Sequence, residues 1–151
     1  MDADPQPVTP TFRHLPVCFG CGAENPLALG VTNAATTGGA ESRVRFGADH
    51  QGAPGLVHGG LLAVLLDEAM GSVSHPVSGI RLTTEMKIRY RRPTPIEIDL
   101  VCRAHVATRS EGQFSVVATI AAVDDPDLVL VEGEATFVLA RAKARAPEAS
   151  D

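Results

Sequence analysis

From Leu82 onward the chain alternates. Leu82, Thr84, Met86, Ile88 and Tyr90 fall on one face of an extended segment, and Arg81, Thr83, Glu85, Lys87, Arg89 and Arg91 on the other. Period two over about ten residues predicts a half-covered strand, which Pro93 and Pro95 end. Related patterns predict strands over Ile96–Thr108, with Ile96, Ile98, Leu100 and Cys102 in phase, over Phe114–Val123, and over Leu128–Leu139, with Val129, Val131, Phe137 and Leu139 in phase. Asp124-Asp125-Pro126-Asp127 supplies a turn. Upstream, Leu27–Thr32 and Glu41–Phe46 are shorter candidates, with the hairpin signal Gly38-Gly39 between them. One segment breaks this rhythm. Leu61 to Leu66 is apolar at every position, Asp67 and Glu68 interrupt, and Ala69, Met70 and Gly71 close the run. A helix apolar on nearly all sides is a buried one. A long buried helix followed by strands joined by short, antiparallel turns predicts an α+β domain whose sheet covers the helix. Ser72 to Gly79, with Pro76, reads as a loop.

The helix is entered through Gly52-Ala53-Pro54-Gly55-Leu56-Val57-His58-Gly59-Gly60. Glycines cost up to about 1 kcal/mol each inside a helix, so a pair at its mouth needs a reason. They serve either a tight turn and close contact, or access for a ligand oxygen to helix amides that have no intrahelical partner. Asp67 favours the second reading, because a carboxylate in an apolar helix is costly unless paired or used. His58 and Asp67 are nine residues apart, about 13 Å along a helix and on opposite faces. They cannot both reach one small reacting group within a chain. If they share a site, a second copy completes it, which predicts a two-fold homodimer with two equivalent sites.

The 151 residues fit one domain. Residues 1–16, with four prolines, read as a flexible lead-in, 17–140 as the domain, and 141–151, rich in Ala and charge, as a fraying tail. A net charge of −5, 4% aromatics and no Trp give little support to a nucleic-acid surface. No apolar run nears the roughly 20 residues of a membrane span, and the N-terminus lacks signal-peptide features, so a cytoplasmic protein is expected. Cys18-Phe19-Gly20-Cys21 is a lone CxxC with His14 nearby; a structural zinc site normally needs four ligands and no second pair is evident, although two chains could pool their pairs. Small residues packed beneath a turn, with Gly22 and Asn25-Pro26, are expected instead, and no metal site is assigned. No Walker-type loop, dinucleotide fingerprint or G-x-S-x-G elbow occurs, and no cofactor is implied.

Gly55-Leu56-Val57-His58-Gly59-Gly60 followed by Asp67 resembles the signature of hotdog-fold acyl-CoA thioesterases, in the branch that includes the phenylacetic-acid-degradation thioesterases, and the likeness extends loosely from Cys18 to Ala140. The resemblance implies an antiparallel sheet wrapped around one long helix, an acyl-CoA substrate, and a homodimer or homotetramer. It implies the Gly59 amide as oxyanion donor, Asp67 of the other chain as base or nucleophile, and Thr83 as a holder of the attacking water, with Thr84 the alternative although Thr84 shares a face with Leu82 and Met86. His58 and Gly60 would line the substrate, His58 either polarising the carbonyl or only positioning the turn. Six residues before His58, where this family often carries a polar side chain, this chain has Gly52, and His50 or Gln51 would substitute. Glu68 is the competing carboxylate, or an exposed or interface charge. Arg91, with Arg89 and Arg92, either meets coenzyme A phosphates or forms a solvated strand face. A non-catalytic acyl-CoA binding protein and a hotdog hydratase or dehydratase are the alternatives.

Overall fold

The computed structural model describes residues 15–73 and 80–140. The expected lead-in over 1–14, the loop over 74–79 and the tail over 141–151 lie outside them. Six strands, β1 (Thr32–Thr36), β2 (Gly39–Arg45), β3 (Ile80–Tyr90), β4 (Asp99–Ser110), β5 (Gln113–Ala122) and β6 (Val131–Ala140), form one antiparallel sheet, and the helix α1 (Gly59–Gly71) lies between β2 and β3 in sequence. The spatial order is β1-β2-β4-β5-β6-β3. The strand that follows the helix therefore runs at one edge, paired with β6.

Alternation builds the core. Leu100 and Cys102 of β4, Phe114, Val116 and Ile120 of β5, and Val131, Ala135 and Phe137 of β6 meet Leu62, Leu65, Leu66, Ala69 and Met70 of α1. Gly133 of β6 faces Leu66 of the helix, where an added Cβ would lie 3.0 Å from its Cδ1. Phe114 and Phe137 stack with centroids 5.3 Å apart. Cys102 is wholly buried, and that burial pushes its thiol up to about 12.

The helix is less enclosed than its composition predicts. Leu62, Leu65, Leu66, Ala69 and Met70 are buried, but Gly60 and Asp67 are exposed and Ala63 and Val64 only half-buried. These four share one strip, since steps of three and four residues return to the same helix face.

Strand boundaries also depart from expectation. The first strand is Thr32–Thr36, not Leu27–Thr32. Leu29 and Val31 donate their amides to the carbonyls of Phe19 and Gly20, and Gly30 takes φ +74°, so that stretch is tied to the cysteine turn. β4 starts at Asp99 rather than Ile96 because Glu97 takes φ 61° and its amide reaches the Phe46 carbonyl. β6 starts at Val131 rather than Leu128, whose amide closes a turn onto Asp125.

The most consequential departure is inside β3. Thr83 pairs with Phe137 but Glu85 pairs with Thr136, so Thr84 is an extra residue in the ladder. Such a bulge reverses which face each side chain meets. Arg81 and Thr83 before it turn to the helix, as do Met86 and Ile88 after it. Leu82 is 49% exposed. Thr84 is exposed as well, its hydroxyl donating to the Thr136 carbonyl at 3.2 Å, so it does not pack in the core. Arg81, expected on the solvent face, instead closes the C-terminal end of α1, donating to the carbonyls of Gly71 (2.8 Å) and Val73 (2.5 Å). Burial and then the charge of Arg109 hold its pKa below the usual guanidinium range.

Candidate active site

The loop before α1 is built from its own side chains. His50 Nδ1 accepts from the Gly47 amide at 3.0 Å, and the ring meets Phe46 edge-on with centroids 5.4 Å apart. Gln51 is taken up at both ends of its amide, donating to the Ala48 carbonyl (2.8 Å) and accepting from the Gly55 amide (2.6 Å). Gly52 donates to the Leu56 carbonyl, and an added Cβ there would lie 3.1 Å from Cα of His58. His50, Gln51 and Gly52 thus shape the turn that delivers His58 to the helix.

His58 is the N-cap of α1. Its Nδ1 accepts from the Gly60 amide at 3.0 Å. A neutral imidazole that accepts at Nδ1 carries its proton on Nε2, so the exposed edge of the ring is a donor. Leu61 and Leu62 direct their amides to the His58 carbonyl. Of the four leading amides that a helix leaves unsatisfied, only that of Gly59 meets no acceptor among the described residues. It stands at the positive end of the helix dipole. Tyr90, 54% exposed, lies over it: its hydroxyl donates to the Gly59 carbonyl at 2.9 Å, and an added Cβ on Gly59 would lie 3.4 Å from the ring. The sequence offered Tyr90 only as the end of an apolar face.

Two turns along, Asp67 projects from the open strip. Thr83 donates its hydroxyl to Asp67 Oδ1 at 2.7 Å, and Asp67 is exposed. The β3 bulge makes this contact possible. Asp67 is eight residues from Gly59, about 12 Å along the helix axis, so within one chain the open amide and this carboxylate do not converge.

Glu68, its neighbour, points elsewhere. It is half-buried rather than exposed, accepting from Cys18 Sγ at 3.0 Å and from Asn33 Nδ2 at 3.1 Å. Nothing in the spacing of Asn33 or of the cysteines announced this contact. Arg91 pairs with Glu132 at 2.5 Å, and Arg92 donates to the Val129 carbonyl at 3.1 Å. The Arg91 guanidinium, hydrogen-bonded to Glu132, holds that carboxyl below its usual range. On the sheet face away from α1, Lys87, Arg89, Arg103 and His105 line a shallow groove with Glu132 and Glu134, which shares no residue with the helix mouth.

The family model described as the Thioesterase superfamily matches residues 54–131, from the turn before α1 to the start of β6. The chain belongs to the thioesterase superfamily. Its sheet and helix are those of the hotdog fold: a crystal structure of a thioesterase superfamily protein superposes with a TM-score of 0.68 at 30% identity, over 83% of this chain and 63% of that one. A mutant structure of the phenylacetic acid degradation protein PaaI from Thermus thermophilus has the same fold, with a TM-score of 0.66 at 21% identity, over 75% of this chain and 96% of that one. Acyl-coenzyme A thioesterase THEM4 of Mus musculus is 30% identical over 88 residues, 58% of this chain. The match spans 37% of that relative's length. Among the described residues, no helix is long and apolar enough to cross a membrane.

Proposed function

We propose that this thioesterase-superfamily chain hydrolyses acyl-CoA thioesters to the free acid and coenzyme A, as a homodimer or as a tetramer of such dimers. The observation that carries the reading is the open Gly59 amide at the head of α1, on a helix whose exposed strip bears Asp67 oriented by Thr83. The comparisons support the thioester; the acyl-coenzyme A substrate of the curated relatives supports the leaving group.

In this reading the acyl carbonyl oxygen sits on the Gly59 amide, with Nε2–H of His58 beside it and Gly60 leaving room for its approach. Asp67 comes from the partner chain, because about 12 Å of helix separates the two within one copy. It takes the proton of a water that adds to the carbonyl carbon, or adds to that carbon itself. Negative charge then develops on the oxygen facing Gly59, where a preorganised donor lowers the barrier. Collapse of the tetrahedral species breaks the C–S bond: with water as nucleophile the departing thiolate takes up the proton held by Asp67, and with Asp67 as nucleophile the thiolate takes a proton from solvent and a water then hydrolyses the aspartyl anhydride to free acid and carboxylate. The three free thiols suit a reducing compartment such as the cytoplasm.

The test is thiol release from short, medium, long and aromatic acyl-CoAs by wild type and Asp67→Asn. Release that collapses in the variant while the assembly persists is expected. Binding of acyl-CoA by the wild type without release would replace catalysis by a carrier role, and hydration of an enoyl-CoA without thiol release would make the chain a hydratase.

A further inference from the structure

We propose that Cys18, Cys21 and Glu68 form a binding site for a thiophilic divalent cation, with zinc the best-fitting member of the class. The two sulfurs and a carboxylate oxygen lie within 4.8 Å of one another, half-buried. At the usual Zn–S and Zn–O lengths, tetrahedral ligand atoms sit about 3.5 to 3.8 Å apart. The Cys18–Glu68 separation of 3.0 Å and the 4.8 Å limit bracket that spacing. Two sulfurs and one carboxylate select a borderline-soft ion, whereas calcium and magnesium take oxygen ligands.

The surrounding chain is shaped for this cluster. The Gly22 amide folds back to the Cys18 carbonyl at 2.8 Å, so the CxxC closes into a tight turn. An added Cβ on Gly22 would lie 2.4 Å from the Cys18 nitrogen, and one on Gly20 would lie 2.4 Å from Cδ of Glu68. Gly22 meets backbone and tolerates no side chain with the turn in place, whereas a side chain at Gly20 would push the Glu68 carboxylate aside. Glu68 is oriented from behind: Asn33 holds Oε2, and the wholly buried Ser42 donates to Asn33 Oδ1. A ligand fixed in this way by outer hydrogen bonds is the usual arrangement around a protein metal. Backbone bonds from Leu29 to Phe19 and from Val31 to Gly20 anchor the turn against the start of β1.

Burial first, then the hydrogen bond and charge of Glu68, drive the Cys21 thiol well above the ordinary range. A divalent cation takes cysteine as thiolate, so its binding would release the thiol protons, and its charge would balance two of the three negative charges of the ligand set. Bound there, it would pin residues 15–31 to α1 beside Asp67, and with three protein ligands the site keeps a fourth coordination position open for water or one further ligand.

The experiment is a titration of the reduced, chelator-treated full chain with Co²⁺. One equivalent should bind with a thiolate-to-cobalt charge-transfer band and a tetrahedral ligand-field spectrum, release about two protons per ion, and yield to Zn²⁺. Cys18→Ser and Cys21→Ser should remove the charge-transfer band. Asn33→Ala, which keeps all three ligands, should weaken binding about 10- to 100-fold. Three results would overturn the site: a wild-type chain, folded by circular dichroism, that takes up no cobalt; binding of unchanged strength in the Cys18→Ser/Cys21→Ser double variant; or a reduced chain that refuses metal and oxidises to a Cys18–Cys21 disulfide.

Discussion

Thr83 and Asp67 sit on different elements, yet one hydroxyl at 2.7 Å orients the carboxylate proposed to act on the thioester. Replacing Asp67 by Asn keeps the shape and removes the base, so kcat for thiol release should fall about 10²- to 10⁴-fold. Thr83→Ala removes a hydrogen bond to a charged group, about 1.5–3 kcal/mol, and should lower kcat about ten- to a hundredfold. Thr83→Ser should restore most of it, which a purely structural role for the strand would not require. The amide proposed as oxyanion donor has a specific test in Gly59→Pro. Gly59 is the first helical residue, where proline is tolerated, and His58 already has φ −59° and ψ 130°, as the residue before a proline requires. The variant should keep its helical circular dichroism while losing about 10²- to 10³-fold in kcat.

At the scale of elements, the fit of α1 against the sheet is set where side chains are absent as much as where they are present. Gly133→Ala would drive a methyl to within 3.0 Å of Leu66 Cδ1. Overpacking of this kind costs about 1–3 kcal/mol, and the urea midpoint should drop accordingly. Leu66→Val in the same chain should recover part of the loss, because it makes the missing room. The β1–β2–β4 side of the sheet carries a different signal. Glu41 is held below its ordinary value of 4.5, chiefly by its hydrogen bond to Arg43 and further by Arg103. A lowered folded pKa stabilises above the unfolded value, and that stability is lost as the pH falls through the folded one. Glu41→Gln should therefore melt below wild type at neutral pH, and the difference should close as the pH descends past the carboxylate range.

For the whole molecule, the open strip of α1 and the exposed edge of β3, with Tyr90 over the helix mouth, call for a second copy if Gly59 and Asp67 are to serve one carbonyl. Sedimentation should find no active monomer. Mixing gives the sharper test: Asp67→Asn and Gly59→Pro chains, each nearly inactive alone, should exchange into heterodimers in which one of two sites has both functional groups. With equal amounts, half the dimers are mixed and half their sites work, so about a quarter of wild-type activity should return. Sites completed within one chain would give no recovery.

The helix run, its glycine-bearing mouth, the α+β layout and the positions of β2 and β5 were legible in the sequence because each depends on local period and composition. So was the thioesterase resemblance, carried by His58, Gly59, Gly60 and Asp67. The phase of β3 was not. Strict alternation put Arg81 and Thr83 on the face opposite Met86 and Thr84 in the core, whereas one unpaired residue, selected by the pairing of β3 with β6, turned Arg81 and Thr83 to the helix side, with Thr83 still exposed, and left Thr84 outside the core. The first strand was misplaced because Leu29 and Val31 find backbone partners in the cysteine turn, a choice between distant segments that local pattern cannot weigh. The same holds for Glu68. Next to Asp67 it read as a rival or an exposed charge, and only the folding of residues 15–33 back onto the helix gave it Cys18 and Asn33 as partners. Local period determines which elements form, whereas long-range pairing decides which side chains meet.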